Sequence, residues 1–335
     1  MASHPLNHDS QRIDRRQVLA ALAALGATTA IGPAHAQSAF PSKPIHLYIA
    51  STAGGPQDVM GRMLGDELAK TLGQPMVIEN KPGAGGAVAA EPVMRAAPDG
   101  HTLLMTAIPY AIAPALIPKL SYDMNRDFAH VAQIIAGPNI LVAHPSTGFR
   151  TLKDLLDAAG RAPGRIIYAS AGNGTSGHLA MELLKQRARV SMLHIPYRGG
   201  APAVNDLLAG HAQVMIINPD IVLPHVQAGK LIALATTGRT RSPVYPNVPT
   251  VIEQGIKDFE SSAWGGISAP RGTPPEIVDK LNAAIVRAVQ GPLRARIEAL
   301  GYQIATSTAA EYSALFKRET ENWARVVQTA GIKAD

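Results

Sequence analysis

The chain has 335 residues, of which 46% are hydrophobic and only 17% charged, and this balance excludes an intrinsically disordered protein. The formal net charge is +6 and the basic residues are scattered, which suits anionic ligands but shows no aromatic-interleaved stripe typical of nucleic-acid binding. The absence of cysteine rules out disulfides, thiol chemistry and cysteine metal sites. The length allows two modest domains.

The N-terminal segment has the features of an export signal. Arg15 and Arg16 precede an apolar run from Val18 to Ile31, and Ala34-His35-Ala36 supplies an A-x-A cleavage site. The paired arginines are compatible with a twin-arginine signal and with an ordinary secretory signal, and both stay open. No later segment has the roughly 18 to 20 apolar residues of a membrane span. We therefore predict that residues 1–36 are removed and that the remainder is a soluble protein of the bacterial periplasm.

After this segment, short strand-like runs alternate with helical patterns, which indicates an α/β fold. The run IHLYIA at 45–50 predicts a strand, and a glycine-rich loop separates it from a helix over 57–72. Further strands are predicted at MVIEN, HTLLMTA, RIIYAS, HIPY, QVMIIN and KLIALAT, with a short helix at APAVNDLLAG.

The starts of two later helices are marked by capping sequences. Thr151-Leu-Lys-Asp154 resembles a capping box, and Thr273-Pro-Pro-Glu276 predicts a helix with Thr273 as N-cap, proline in the first position and Glu276 in the third. The last helix should begin near Ala309. Its spacing predicts a buried face made of Tyr312, Leu315, Phe316, Trp323, Val326 and Val327. We assign Trp323 to this core and give it no function.

Two segments share one arrangement: a hydrophobic strand, a glycine-rich loop with hydroxyl side chains, and an amphipathic helix. They are LYIASTAGGPQDVMGRML at 47–64 and IIYASAGNGTSGHLAMELL at 166–184. Open α/β sheets bind ligands at loops that follow the carboxyl ends of strands. We therefore predict one such loop in each of two α/β domains, with the two loops facing each other across a cleft.

The second loop carries Gly172, Gly174 and Gly177 in the G-x-G-x-x-G spacing of dinucleotide-binding loops. Dinucleotide binding also needs an acidic residue about 20 positions later, but that region reads LHIPYRGGAP. Nucleophilic catalysis is disfavoured because G-x-S-x-G is absent and Ser176 and His178, two positions apart on a helix, do not face each other. We expect no cofactor and no catalytic residue, and we expect His178 to be a packed or capping residue.

Phosphate binding by a P-loop and metal binding are also disfavoured. Neither glycine loop has the lysine of a P-loop, and the histidines after the signal segment show no close ligand pair, so no metal site is expected.

Binding of an anion is the remaining chemical interpretation of this loop. Glycines expose backbone amides, a helix N-terminus adds partial positive charge, and Ser170, Thr175 and Ser176 add hydroxyl donors. A carboxylate is an anion that suits these hydrogen-bond donors. The alternative is ordinary N-capping by Thr175 or Ser176, with the glycines used only for turning, and the spacing alone leaves both interpretations open.

The long run from Pro41 to Met105 resembles the start of a mature Bug (TctC-like) protein, a family of periplasmic solute receptors of tripartite tricarboxylate transporters. The resemblance continues through YASAGNGTSGHLAMELL, LHIPYRGGAPAVNDLLAGHAQVM, LPHVQAGKLIALATTGRTRSPVYPNVPTVIEQG and the terminal GIKAD. It implies a type II periplasmic-binding-protein fold, in which two α/β domains joined by crossover strands close on a ligand. Domain 1 would comprise 37–138 and 264–335, and domain 2 would comprise 139–263.

The resemblance also implies where a ligand carboxylate would be held. In the first loop, Ala53 and Gly55 would position bridging waters, and the full set from that loop is Ala53, Gly54, Gly55 and Asp58. The second loop would supply Ser170, Gly172, Asn173, Gly174, Thr175 and Ser176. Of these, the carboxylate would be bound by Ser170, Gly174, Thr175 and Ser176.

Other candidates line the expected cleft. Gly85 and Gly86 would lie on the domain 1 wall, or would otherwise be simple turn residues. Tyr197, Arg198 and Asn218 would lie near the cleft in domain 2. Arg198 would bind a second carboxylate or would form an ion pair at the surface or between domains.

Two departures from many relatives bear on the ligand. Ser51 and Thr52 replace a proline–aromatic pair, which predicts a more polar pocket wall. Ile217 stands where relatives often have the aspartate that pairs with an amino-acid ammonium, so an amino-acid ligand is disfavoured, although Asp220 could substitute.

The resemblance therefore implies a monomer that captures a small mono- or dicarboxylate, aliphatic or aromatic, and delivers it to the membrane subunits of a tripartite transporter. A periplasmic sensor that feeds a signalling receptor is an alternative that the chain alone does not separate from uptake. An enzyme with NAD or Ser–His chemistry is the least favoured class, because the ribose-binding acid and a base facing the serine are missing.

Overall fold

The computed structural model describes residues 40–197, 199–257, 259 and 261–330. The predicted signal segment and Arg198 lie outside the described residues. Within them, the polypeptide forms two sheets covered by helices.

The first sheet combines parallel and antiparallel strands in the order β11-β4-β10-β3-β1-β2. Its strands are β1 (Ile45–Ile49), β2 (Met76–Asn80), β3 (Thr102–Ala107), β4 (Phe128–Pro138), β10 (Ser262–Pro270) and β11 (Gln303–Ile304). Strand β1 pairs in parallel with β2 and β3, whereas β10 is antiparallel to β3 and β4. The carboxyl ends of β1, β2 and β3 therefore lie at one edge of the sheet.

The second sheet has five strands in the order β7-β6-β8-β5-β9. They are β5 (Ile140–Ala143), β6 (Ile167–Ser170), β7 (Leu193–Pro196), β8 (Val214–Ile217) and β9 (Ile232–Thr236). Strand β6 is parallel to β7 and β8, and β5 is antiparallel to β8 and β9. The loop after β6 thus starts from the parallel part of its sheet, as the loop after β1 does in the first.

The helices of the described chain follow the strands as the sequence alternation predicts. They are α1 (Pro56–Leu72), α2 (Ala87–Met94), α3 (Pro109–Leu116), α4 (Met124–Asp127), α5 (Leu152–Arg161), α6 (Ser176–Ala188), α7 (Gly200–Leu208), α8 (Pro219–Gln227), α9 (Pro275–Gln290), α10 (Arg294–Ala299) and α11 (Ala309–Ala330). Of these helices, none combines the length and the apolar character that a membrane span requires.

Each sheet is covered by helices on both faces, so four apolar clusters form the interior. On the first sheet, α1 and α9 pack on one face, and α2, α3 and α11 pack on the other. On the second sheet, α5 and α6 cover one face, and α7 and α8 cover the other. Full burial of one leucine or isoleucine side chain contributes about 1.5–3 kcal/mol, so these clusters hold the strand ends, and the loops that leave them, in place.

The chain passes between the two sheets at two adjacent places. It leaves β4 and enters β5 through Asn139, and it returns from β9 to β10 through a segment that ends at Ser261. Thr237 contacts both crossings, because its hydroxyl accepts from the Asn139 amide at 2.8 Å and its carbonyl accepts from the Ser261 amide at 3.1 Å. Thr237 therefore ties the two crossings to each other.

The sequence predictions of local structure hold with one exception. The predicted strands, the helix after the first loop and the capping box at Thr151 are confirmed. The buried face of the last helix is confirmed, with Tyr312, Phe316, Trp323 and Val327 buried and Leu315 and Val326 partly buried.

The predicted capping by Thr273 is wrong. The N-cap of α9 is Pro274, whose carbonyl accepts from the Ile277 and Val278 amides. The Thr273 hydroxyl is instead used one turn earlier, where it donates to the Pro270 carbonyl at 2.8 Å.

Candidate ligand-binding site

The first loop connects the carboxyl end of β1 to the start of α1. Gly54 has φ +80°, a left-handed conformation that favours glycine, and Gly55 is the N-cap of α1. The Gly55 amide donates to the Thr52 carbonyl at 3.1 Å. Because glycine has no side chain, the first turn of α1 has no side-chain cap. Its amides and the positive end of the helix dipole are therefore suited to an anion.

Asp58 holds this loop in shape. Its buried carboxylate accepts from the Gly54 amide at 2.8 Å and from Arg62 Nε at 3.0 Å. The hydrogen bond from Arg62 is the main reason that the pKa of Asp58 lies below its ordinary value, and the Gly54 amide acts in the same direction. The carboxylate is charged and already paired, so the geometry assigns Asp58 to positioning the loop.

Besides Asp58 Oδ1, which lies 3.0 Å from Arg62 in an ion pair, two buried polar atoms in this region have no hydrogen-bond partner among the described residues. They are Ser51 Oγ and Gln57 Oε1. A buried polar atom without a partner costs about 1–3 kcal/mol, so both atoms are candidates for a hydrogen bond to a ligand or to water. Gln57 was not among the residues predicted from sequence. Its position in the first turn of α1, directly after the glycine loop, was the available signal.

The second loop connects β6 to α6 and is closed by its own side chains. The Gly172 amide donates to Ser170 Oγ at 3.1 Å, and the Thr175 hydroxyl donates to the Gly172 carbonyl at 2.8 Å. Ser170 is fully buried, and its Oγ also lies 2.7 Å from His194 Nε2. Ser170 therefore shapes the loop from beneath.

The N-terminus of α6 has no side-chain cap. Thr175 occupies the N-cap position, but its side chain makes no capping hydrogen bond because its hydroxyl turns back to Gly172. This geometry disfavours the alternative interpretation, in which Thr175 serves as an ordinary cap. Ser176 is largely buried as the first residue of the helix. The start of α6 thus offers backbone amides and an oriented dipole, as the start of α1 does.

A stack of aromatic rings supports the second loop from below. His178 and His194 stack with ring centroids 4.1 Å apart, and Tyr168 stacks on His194 at 4.6 Å. His178 Nδ1 accepts from the Gly174 amide at 3.1 Å, so the prediction of a packed or capping residue is confirmed. Acceptance at Nδ1 requires an imidazole that carries its proton on Nε2.

Close approach explains the glycine at position 177. A Cβ there would lie 2.0 Å from the Ile216 carbonyl oxygen on β8, so only glycine lets the start of α6 pack on that strand. The glycine spacing that matched a cofactor fingerprint is therefore used for packing at its last position.

The second loop also contacts α3, which belongs to the first sheet. A Cβ on Gly174 would lie 2.3 Å from Leu116 Cδ1, and a Cβ on Gly85 would lie 2.4 Å from Ile117 Cδ1. The turn at Gly85 and the loop at Gly174 therefore meet the same end of α3. On the other side, Asn80 Nδ2 donates to the Ser51 carbonyl at 3.1 Å, which ties the first loop to the end of β2.

Gly85 and Gly86 behave as tightly packed turn residues. Both have positive φ, and their carbonyls accept from the Tyr122 hydroxyl at 2.6 Å and the Tyr110 hydroxyl at 3.4 Å. A Cβ on Gly86 would lie 2.7 Å from the Tyr110 ring. These contacts support the turn interpretation that the sequence left open.

The predicted residues from the other strands of the second sheet have internal partners. The Tyr197 hydroxyl donates to Asp206, and burial together with this carboxylate raises the pKa of Tyr197 to about 12. The Tyr197 amide donates to the Ser170 carbonyl at 3.0 Å, so this residue borders the second loop. For Arg198, the predicted contact with a second carboxylate lies outside the described residues.

Asn218 and Asp220 meet a residue of the first sheet. Asn218 Nδ2 donates to the Tyr302 hydroxyl at 2.9 Å, and that hydroxyl donates to Asp220 Oδ1 at 3.3 Å. Burial raises the pKa of Asp220 to about 6. Asp220 therefore accepts a hydrogen bond from Tyr302, and this contact does not favour the interpretation in which Asp220 pairs with the ammonium group of a ligand.

Comparison with known proteins identifies the family. The family described as "Tripartite tricarboxylate transporter family receptor" matches this chain over residues 60–332. The chain is similar to Protein BugT of Bordetella pertussis, with 34% identity over 95% of this chain and 98% of BugT.

Two solved structures share its fold closely. One is Rpa4515 of R. palustris with adipate, at a TM-score of 0.81 and 30% identity over 88% of this chain and 99% of that one. The other is MatC of Rhodopseudomonas palustris with bound malate, at a TM-score of 0.77 and 35% identity over 86% of this chain and 100% of that one. These matches confirm the resemblance to Bug proteins and the two-domain periplasmic-binding-protein fold. The chain therefore belongs to the tripartite tricarboxylate transporter receptor (TctC) family of solute-binding proteins.

Proposed function

We propose that the chain binds a small mono- or dicarboxylate between the loop at 51–55 and the loop at 171–175. The observation that carries this proposal is the pair of helix starts, α1 and α6, which both lack a side-chain cap and both follow a strand of a parallel pair. Each supplies amides and a positive dipole end for an anionic group. The ligands named for Rpa4515 and MatC, adipate and malate, are of this chemical class.

The residues divide into those that contact the ligand and those that position the loops. The Ser176 amide and hydroxyl and the unpartnered Ser51 and Gln57 atoms are the proposed contacts, whereas the Gly55 and Gly174 amides already donate within the protein. The positioning residues are Asp58, Ser170, Tyr197 and His178, whose polar atoms are bonded within the protein.

Closure of the two halves would complete the site. The domain limits proposed from sequence, 37–138 with 264–335 and 139–263, are in keeping with crossings at Asn139 and Ser261. A ligand that contacts both loops favours the closed arrangement over the open one by its differential affinity.

We also infer that the mature protein acts in the periplasm as a monomer and passes its ligand to the membrane subunits of a tripartite transporter. Support comes from the export features of the first 36 residues and from the family to which the chain belongs. Osmotic-shock release of the mature chain from cells would test the location, and its elution volume in gel filtration would test the monomer.

The test uses a carboxylate attached to the chain itself. In Thr175→Asp, the new carboxylate at the N-cap of α6 would accept hydrogen bonds from the helix amides that we assign to the ligand. We expect adipate, malate or another acid from a panel of aliphatic and aromatic carboxylates to raise the melting temperature of the wild-type protein and to have no effect on the variant.

The matched control is Thr151→Asp, the same substitution at the N-cap of α5, where Thr151 already forms a capping box. This variant should keep the full ligand-induced shift. A shift retained in Thr175→Asp, or stabilisation of the wild-type protein by NAD(H) and by no carboxylate, would overturn the proposal.

A further inference from the structure

A large cavity lies between α6 and α11, on the side of the molecule where the chain crosses between the sheets. Its volume is about 1040 Å³. Ser261 at the end of the second crossing and Ser262 at the start of β10 line it, together with Gln133 and Ala136 of β4. None of the predicted ligand-binding residues in the described chain is part of its lining. We call this cavity the hinge groove.

The lining of the hinge groove is strongly basic. Arg187 of α6 and Arg318 and Arg325 of α11 line it, and among the described lining residues only Glu319 is acidic. The Glu319 carboxylate is already hydrogen-bonded within the protein, because its Oε2 accepts from the indole nitrogens of Trp264 at 3.2 Å and Trp323 at 3.1 Å. The positive charge of the walls is therefore only partly compensated, and the groove favours an anionic partner.

The basic and polar residues form an ordered stripe along α11. Arg318, Asn322, Arg325 and Thr329 follow one another at intervals of four, three and four residues, so they share one helix face. Arg187, on α6, lines the opposite wall. A stripe of this length along a helix matches an extended chain segment and exceeds what one small ion would contact.

The interior of the groove also contains a polar atom without a partner. Ser261 is 1% exposed, and its Oγ has no hydrogen-bond partner among the described residues. Since a buried hydroxyl without a partner is costly, the groove presents a hydrogen-bonding position for an occupant in addition to its charge.

The walls come from both halves of the molecule. Helix α6 covers the second sheet, whereas α11 covers the first, and the crossing at Ser261 joins them. Relative movement of the two sheets therefore changes the width of the groove. A partner bound there contacts both halves at once, so its affinity depends on how far the receptor has closed.

We propose that the hinge groove is a docking surface for an acidic segment of a partner protein. Alternating carboxylates of the segment pair with the arginines of α11 and α6, and one polar group reaches Ser261. The surface is separate from the carboxylate site, and its existence does not depend on which small ligand the protein carries.

The test measures binding of a fluorescein-labelled octaglutamate peptide to the ligand-free mature protein by fluorescence anisotropy. In Arg318→Glu/Arg325→Glu, two of the basic contacts become repulsive, and we expect the peptide to bind at least roughly tenfold more weakly. The control is Lys230→Glu/Arg296→Glu, which changes the net charge equally at exposed residues outside the groove. It should weaken binding by less than about threefold, since exposed charges act weakly at a distance.

A hydrogen-exchange footprint on the wild-type protein provides a second measurement that needs no variant. The peptide should protect amides of α6 and of α11 around Arg187 and Arg325. The proposal is overturned if the wild-type protein fails to bind the peptide, if both double variants lose affinity equally, or if protection falls elsewhere. Displacement of the peptide by free glutamate at equal carboxylate concentration would indicate a site for small anions and would likewise overturn docking of a segment.

Discussion

Asn218 Nδ2 donates a 2.9 Å hydrogen bond to the hydroxyl of Tyr302, a residue 84 positions later in the chain. Asn218 directly follows β8 of the second sheet, and Tyr302 directly precedes β11 of the first. The bond therefore joins the two halves of the receptor. The Tyr302 hydroxyl extends the link by donating to Asp220, so these three residues form one polar contact between the two sheets and their helices.

Tyr302→Phe tests how much this contact contributes to the free energy of unfolding. The substitution keeps the ring in the core and removes two hydrogen bonds, so we expect the free energy of unfolding to fall by about 1–3 kcal/mol. Urea denaturation with one global transition measures the loss. Tyr245→Phe is the matched control, because the hydrogen bond described for the Tyr245 hydroxyl is a long one of 3.5 Å to the Pro219 carbonyl. A smaller loss in Tyr302→Phe than in the control would contradict the assigned role.

Asp220 predicts a pH dependence of stability. Its pKa is raised to about 6 by burial, and its polar surroundings are the hydroxyls of Tyr302 and Tyr245 and the backbone amides of Asp220 and Ile221. A raised carboxyl pKa means that the folded state binds the proton more tightly than the unfolded state does. The stabilisation is therefore complete below about pH 4 and is lost as the pH rises through about 6.

Asp220→Asn should remove this dependence. Between pH 4 and pH 7, the wild-type protein should lose on the order of 2 kcal/mol more unfolding free energy than the variant. Denaturant titrations at both pH values measure the difference. Asp157→Asn, at an exposed carboxylate of α5, should leave the dependence as it is. Parallel pH profiles for the wild-type protein and Asp220→Asn would contradict the proposed protonation.

Gly177→Ala tests the packing of the second loop on β8. A Cβ at this position would lie 2.0 Å from the Ile216 carbonyl oxygen, so the start of α6 must shift, and we expect a loss of about 3 kcal/mol or more. Gly160→Ala is the matched control within α5, because nothing lies within 4 Å of its Cβ position. There alanine should be neutral or should stabilise the helix by up to about 1 kcal/mol. Equal melting temperatures for the two variants would contradict the packing.

Ser170→Ala and Ser176→Ala separate positioning from ligand contact. Ser170 Oγ bonds the Gly172 amide and His194 in the fully buried floor of the loop, so its loss should lower the unfolding free energy by about 1–3 kcal/mol. Ser176, at the start of α6, should tolerate alanine within about 0.5 kcal/mol. Chemical denaturation compares the two, and a reversed order of stabilities would mean that the roles are exchanged.

The local structure of this protein could be predicted from sequence because its signals are local. Alternating and helical hydrophobic periods placed β1 and α1, and the Thr151 capping box placed the start of α5. The failure at Thr273 is also local in origin. Two successive prolines follow it, and the first of them, with an extended ψ of 139°, provides the helix with its N-cap and leaves the threonine outside.

The chemistry of the two loops was predictable in kind, because glycine, hydroxyl groups and a following helix are sufficient to indicate an anion site. The sequence did not show which residues of the loops contact a ligand and which ones hold the loops in shape. Ser170 and Asp58 carry the donors and charge that a ligand site uses, yet each is bonded to its own loop. For Gln57 the sequence signal is only its position directly after the glycine loop, and the structure adds that its side-chain oxygen is buried without a hydrogen-bond partner among the described residues.

The sequence by itself therefore determined the order of strands and helices, the two glycine loops and the family resemblance, because each depends on neighbours within a few positions or on a long run of matching motifs. Only the tertiary structure decided which glycines are required by close packing, that Asn218 meets Tyr302, and that arginines of α6 and α11 line one groove. Those relationships join residues far apart in the chain. They depend on how two sheets and their helices pack, and no local pattern encodes that packing.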